Sequence, residues 1–344
     1  MTIAQYPRSE KSQTRRELEI AKSRSAFDNR IHLMALGDSD ISWQVLGQIV
    51  RDWAGDTAQI AEVRPLDGGC INTTLCITTN RSDRAVLKIS PHRVNREFER
   101  EAAHLKLIRE VGLPAPKVYT QRTASLDAPH SYILMEFMDG VDLSQAKRQC
   151  SAEQFDALQE HLAEIVATLH SQRGQVYERI AHDEQKRFDD WPKFFHHIYD
   201  SIWHECEKAP HLPGKSRKQI ARIHEKLDKY LAHGDQPRLV HWDIWSTNLL
   251  AKPDDDGKWK ICAMLDPNCK FAHAEAEIAY MELFHTSTPA FLKGYQRHHK
   301  LTEDYHRCRK WIYQLYPMID HVVLFGESYL KPLQQSLEHC ASFA

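Results

Sequence analysis

Apolar residues between positions 43 and 53 fall at Trp43, Leu46, Ile49, Val50 and Trp53, the spacing of a single buried helical stripe. The period then shortens. Residues 60–66, 73–79 and 85–89 are short β-type runs, parted by Asp67-Gly68-Gly69 and by the polar stretch 80–83. A charged amphipathic helix is predicted over 98–111, closed by Gly112 and Pro114, and two further strands over 117–121 and 131–137. Beyond Gly140 the pattern is mainly helical, with helices predicted over 152–170, 216–231, 274–284 and 307–330. One β-rich island interrupts them. Within 239–266, the apolar runs 249–250 and 261–265 flank Asp254-Asp255-Asp256-Gly257, a hairpin turn.

This order of elements predicts an α+β chain with a two-lobed, protein-kinase-like fold: a small β-rich N-lobe and a larger, mainly helical C-lobe. Residues 1–40 are polar and read as a mobile N-terminal extension, 41–138 as the nucleotide-binding N-lobe, and 139–344 as the C-lobe. Composition narrows the function by exclusion. A formal net charge of −2 gives no reason to expect nucleic acid as a partner. No run approaches the roughly 18 apolar residues of a membrane span, and the polar first 25 residues lack the apolar core of a secretory signal. Eight cysteines without a CxxC pair point to reduced thiols in the cytoplasm. The sequence leaves the oligomeric state open.

The sharpest chemical signal is His241-Trp242-Asp243-Ile244-Trp245-Ser246-Thr247-Asn248, which fits H-x-D-x4-N. Phosphoryl transfer needs an acceptor for a hydroxyl proton, the role expected of Asp243, with His241 orienting the loop. It also needs oxygen ligands for Mg2+. Asn248 supplies one, and Asp266, just past the predicted hairpin, supplies the second. In the N-lobe, Lys88 ends the run 85–88 as a phosphate-binding lysine would, and Glu101 on the next helix is its expected partner, with Glu99 second. Gly68, Gly69, Cys70 and Asn72 lie in the loop expected to cover the phosphates of ATP. Glu136 and Phe137 close the last strand, where the backbone would meet adenine. By local sequence alone, an ordinary turn and an ordinary strand end explain those last two segments equally well.

Taken together, these blocks resemble the fructosamine (ketosamine) kinase family, within the aminoglycoside-phosphotransferase-like kinases. The likeness spans about residues 67–330. It is carried by residues 68–72 and 98–102, Asp190-Trp191 with Phe194-Phe195, and the stretch 241–250. Asp266-Pro267 with 275–279 and 282–284, and Tyr313 to Pro317 with His321 and Phe325-Gly326, complete it. The resemblance implies a kinase using ATP and Mg2+ on a sugar-derived hydroxyl of a glycated amine. It assigns Asp243 as base, Asn248 and Asp266 as metal ligands, Lys88 as phosphate ligand, and Cys70 to a position linked with redox control. Two departures stand out. Trp242 occupies a place where the family has glycine, and a short charged segment, 172–187, replaces a Gly- and Asn-rich one expected to shape the substrate pocket. Kinases of aminoglycosides, choline or polyols, and a catalytically silent binding module, are the alternatives. The intact set Lys88, Asp243, Asn248 and Asp266 argues against the last.

Overall fold

The structure, a computed structural model, describes residues 33–36, 39–66, 72–91, 96–125, 128–341 and 343. A hairpin of β1 (Leu33–Leu36) and β2 (Ser39–Ser42) leads into α1 (Trp43–Ala54), whose first turn is capped by the Ser42 side chain. The rest of the predicted N-terminal extension lies outside the described residues. A five-stranded antiparallel sheet follows, built from β3 (Ile60–Pro65), β4 (Thr73–Thr79), β5 (Arg84–Pro91), β6 (Val118–Arg122) and β7 (His130–Glu136) in the order β3-β4-β5-β7-β6. Helix α2 (Glu97–Glu110) lies between β5 and β6 in the chain.

Strand alternation sorts the residues of this sheet between two cores. Leu87 and Ile89 of β5, with Tyr132 and Leu134 of β7, pack beneath Leu46, Ile49 and Val50 of α1. Ile133 and Met135, from the opposite face of β7, join Phe98, Leu105 and Ile108 of α2 in the main core. Lys88 pairs in register with Ile133 and so points to the α2 side.

The larger lobe begins with β8 (Val141–Asp142), α3 (Leu143–Gln149) and α4 (Ala152–Ser171), the last opened by a Ser151–Gln154 capping box. Two short strands, β9 (Tyr177–Arg179) and β10 (Arg187–Phe188), precede α5 (Trp191–Lys208), α6 (Gly214–His224) and α7 (Leu227–Leu231). Then come β11 (Arg238–Val240), the hairpin β12 (Leu249–Pro253) and β13 (Trp259–Met264), and β14 (Lys270–Ala272). Four helices end the chain: α8 (Ala274–Leu283), α9 (Pro289–Tyr295), α10 (Lys310–Phe325) and α11 (Leu330–Cys340). Strands β12 and β13 form a three-stranded sheet with β8, while β11 and β14 form a four-stranded one with β9 and β10.

The helix expected over 216–231 is broken, because Lys226 leaves the helical region between α6 and α7. The helix expected over 307–330 stops at Phe325, where Gly326 takes φ +70°, a conformation glycine adopts without a Cβ clash. Helix α5 was not predicted, although an Asp190 cap, a proline in its first turn and a stripe through Phe194, Phe195, Ile198 and Tyr199 all mark it.

Candidate active site

Lys88 and Glu101 meet where β5 faces α2, with Nζ 2.6 Å from Glu101 Oε1 and both side chains largely buried. The same Nζ reaches across the cleft to Asp266 Oδ1. Burial alone would push the Lys88 ammonium towards deprotonation, but the carboxylates of Glu101 and Asp266 outweigh it and hold its pKa above the usual lysine value. Glu99 points elsewhere, accepting from Thr123 and pairing with Arg96. Asn72 donates to Glu97 at 3.4 Å, and its buried amide oxygen has no partner among the described residues. At the end of β7, the Glu136 N–H donates to Lys117 O at 2.8 Å, and the Arg84 guanidinium lies over the Phe137 ring at 4.3 Å. Gly68, Gly69 and Cys70 lie outside the described residues.

Backbone pairing fixes the H-x-D-x4-N stretch against the residues around Asp266. Leu265 N–H donates to Asn248 O (2.8 Å), and Asn268 N–H donates to His241 O (2.9 Å). From the other side of the cleft, His104 of α2 bonds Pro267 O at 3.0 Å. The 241–248 segment leaves β11 at a buried histidine, turns through Trp242 at φ +69°, and enters β12 by a 3-10 turn at Ser246–Asn248. Asp266 also holds a left-handed backbone, at φ +54°. Two non-glycine residues with positive φ so close to one carboxylate pair is a concentration of backbone strain, of the kind that gathers at functional sites.

Glu277, in the first turn of α8, is what holds Trp242 in that turn. Its carboxylate accepts from the backbone N–H of Trp242 and of His241, and bonds His170 Nε2 at 2.9 Å. Burial would push this carboxyl up, but His170 and the backbone donors keep it below the usual range. The indole covers the Lys270 ammonium, 4.8 Å from the ring centre. Burial drives Lys270 well below the usual lysine pKa.

The Asp243 carboxylate is gripped on both oxygens. Tyr280 O–H donates to Oδ1 at 2.8 Å, and Asn248 Nδ2 donates to Oδ2 at 2.9 Å. The Asn248 amide oxygen has no partner among the described residues, so it is available to a ligand. Burial pushes the Asp243 pKa up to about 6, the Tyr280 bond opposes the rise, and the charge of Asp266 adds to it. His241 accepts the Asp243 N–H at 3.3 Å, and burial pushes its own pKa down to about 4, so the ring is neutral near pH 7.

Beside Asp243 opens a cavity of about 200 Å³, walled by Phe195 and Tyr199 of α5, Trp242, Tyr280 of α8, and Tyr313 and Asp320 of α10. Tyr280, Lys270 and Asp320 carry no local motif, and the sequence did not single them out. Two groups with three possible metal ligands each also form: His196, Asp200 and His224, and His233, Asp235 and His273. Both are internally hydrogen-bonded. Asp200 joins both rings of the first. In the second, His233 and His273 stack at 3.6 Å, with Asp235 bonded to His273 at 3.1 Å.

A small antiparallel sheet with one crossing helix, joined to a helical lobe that carries a paired Asp–Asn loop, defines a phosphotransferase of the protein-kinase-like class. Solved structures share it: a candidate fructosamine-3-kinase from Haemophilus somnus superposes with a TM-score of 0.69 at 22% identity, over 87% of this chain and 97% of that one. The aminoglycoside phosphotransferase APH(4)-Ia gives 0.61 at 15% identity, over 87% and 96%. The sequence profile of fructosamine kinase matches residues 42–342, and the chain belongs to that family. A probable ketoamine kinase of Synechocystis is 26% identical over 88% of this chain and 98% of its own length. One of Enterococcus faecium is 28% identical over 81% and 95%. The chain is therefore a kinase of small molecules, and among its described residues no helix is long and apolar enough to cross a membrane.

Proposed function

We propose that the protein transfers the γ-phosphate of ATP to a sugar hydroxyl of a ketosamine, of fructosamine or ribulosamine type, in the cytoplasm. The observation that carries this reading is the Asp243 carboxylate, half-buried, poised near neutral pH and gripped by Tyr280 and Asn248 at the edge of the cavity. A base tuned close to the working pH is what hydroxyl activation asks for. The family match supports the ketosamine class. A solved complex of APH(4)-Ia with AMP-PNP and hygromycin B supports ATP as donor in this fold.

In this mechanism Asp243 orients the acceptor hydroxyl and takes its proton as the oxygen bonds to the γ-phosphorus and the bond to ADP breaks. Tyr280 and Asn248 keep the carboxylate aimed, and Lys88, braced by Glu101, pairs with phosphate oxygens. Asn248 and Asp266 offer hard oxygen donors with a free amide oxygen and a half-exposed carboxylate, a set that suits Mg2+. When bound there, magnesium would neutralise charge on the phosphates. Gly68, Gly69, Cys70, Asn72, Glu136 and Phe137 belong to the same nucleotide-side proposal.

The test is Mg2+-dependent ATP consumption over a panel of glycated amines, free sugars, aminoglycosides and choline. Turnover confined to ketosamines, and reduced roughly a hundredfold or more in Asp243→Asn while ATP still binds, is the expected result. Near-normal rates in that variant would overturn the mechanism. ATP binding without turnover on any acceptor would favour the binding-module alternative.

A further inference from the structure

The acceptor cavity contains one carboxylate that the protein leaves without a partner. Asp243 is bound by Tyr280 and Asn248, and Glu277 is consumed by His170 and the backbone of His241 and Trp242. Glu282, a further acid of α8, is taken by Lys310 at 2.7 Å and by Tyr305. Asp320 differs. It lines the cavity from α10 and is only partly exposed. It has no hydrogen-bond or ion-pair partner among the described residues. It stands on the face of α10 that also carries Pro317 and Tyr313, one and two turns earlier.

The charged groups around it do not supply the missing cation. His321 follows it in the chain, but its Nδ1 is bonded to Pro317 O at 2.7 Å. Glu205, from α5, adds a second negative charge nearby. The Lys270 ammonium is held by Asn268 O at 2.9 Å under the Trp242 ring. A carboxylate drawn out of water without a partner is costly, and burial pushes the Asp320 carboxyl above its usual range. The remaining wall is aromatic: Phe195 and Tyr199 lie 4.8 Å apart between ring centres, with Tyr280 and Trp242 beside Asp243. Aromatic faces attract cations, most strongly where water is excluded.

We propose that Asp320, backed by this aromatic wall, is a specificity residue that pairs with a protonated amine on the acceptor. On the reading above, on which this inference rests, the cavity then selects hydroxyl compounds that still carry a basic nitrogen. It rejects those in which the nitrogen is absent or acylated. A neutral acceptor can occupy the same space and present its hydroxyl to Asp243, but it leaves Asp320 unpaired.

The discriminating probes are N-fructosyl-propylamine, which is cationic at neutral pH, and its N-acetyl counterpart, which is not. Calorimetry with a non-hydrolysable ATP analogue and Mg2+ measures the ratio of the two dissociation constants for wild type and for Asp320→Asn. Wild type is expected to favour the cationic probe by roughly tenfold or more, the scale of one charge-assisted hydrogen bond. In Asp320→Asn that ratio should collapse towards one, with the effect on turnover appearing mainly in KM for the cationic probe. Thermal unfolding guards against a structural explanation. Removing an unpaired carboxylate should leave the Tm unchanged or raise it, whereas loss of a structural bond would lower it. The inference is overturned if wild type shows no preference between the probes, if the preference survives in Asp320→Asn, or if the Tm falls. The binding ratio needs no turnover. Failure of the phosphotransfer reading would show separately, as undiminished activity in Asp243→Asn.

Discussion

On the proposed mechanism, the two sides of the reaction centre are built on different principles. The nucleotide side is a set of compensated charges, in which Lys88 answers Glu101 and Asp266 across the cleft. The acceptor side is a set of rings around carboxylates, and Asp320 there has no partner among the described residues. A compensated cluster is rigid and indifferent to what the second substrate is, as suits a phosphate donor shared by many kinases. An uncompensated charge in an aromatic wall is selective, because the ligand must supply what is missing. The comparison teaches that the common half of such a reaction is held by the protein itself, and the particular half is completed by its substrate.

Substitutions at four residues would break or sharpen that contrast. The largest effect is expected from Lys88→Met, which should raise the KM for ATP by ten- to a hundredfold and leave the acceptor KM within about threefold. Equal shifts in both constants, measured by steady-state kinetics, would show that the two sides are not separable. Next, Trp242→Gly should raise the acceptor KM several-fold with little change for ATP. Because only glycine is free of the penalty for a left-handed backbone, Trp242→Gly should be more stable than Trp242→Ala by about 1 kcal/mol, roughly 1–2 °C in Tm for a chain of this length. Equal melting of the two variants would mean that the turn relaxes.

A smaller effect is expected from Tyr280→Phe, which removes a hydrogen bond that favours the ionised Asp243. If Asp243 is the base, as proposed, kcat/KM should fall as pH drops through about 6, and the variant's acid limb should move upward. An unmoved limb would detach Tyr280 from the base. The smallest effect lies away from both sides. Burial and the stacked His273 push His233 down to about 3, so it is neutral in the fold but binds a proton once unfolded below about pH 6.5. Its stabilising contribution is therefore complete above that pH and is lost as pH falls towards 3. Between pH 7.5 and 5.5 that amounts to about 1 kcal/mol, or roughly 1–2 °C. His233→Gln should flatten this part of the Tm–pH curve without altering either KM.

The same contrast explains what could be read from the chain. Lys88 closes the apolar run 85–87 within one strand, and Asp243 and Asn248 sit five residues apart in one loop, so each is visible as local spacing. The pairing of Lys88 with Glu101 rather than Glu99 follows from which face of α2 meets β5, and a strand-then-helix reading already implied it. The acceptor cavity has no such signature. It draws Phe195 from α5, Tyr280 from α8 and Asp320 from α10, residues more than a hundred positions apart in all. Each looks like an ordinary member of an amphipathic helix until the helices pack. Glu277 and Glu282 were visible as acids near the right place, but sequence could not tell that His170 and Lys310 lay waiting to bind them. Trp242 was conspicuous as a bulky residue where the family has glycine, and the structure gives that departure a physical meaning, a left-handed turn held by Glu277.

The direct pairing of Lys88 with Asp266 has a bearing on the order of events. On the proposed mechanism each would instead face a substrate group of opposite sign, and in the resting cleft one ammonium stands between two carboxylates. A lone anion would have to win Lys88 away from Asp266 and leave that carboxylate unpaired, whereas a lone cation on Asp266 would leave Lys88 still paired with Glu101. On the proposed mechanism, a visitor that brings both signs together would satisfy both residues at once, so the cleft would resist a stray anion and admit a nucleotide that carries its cation.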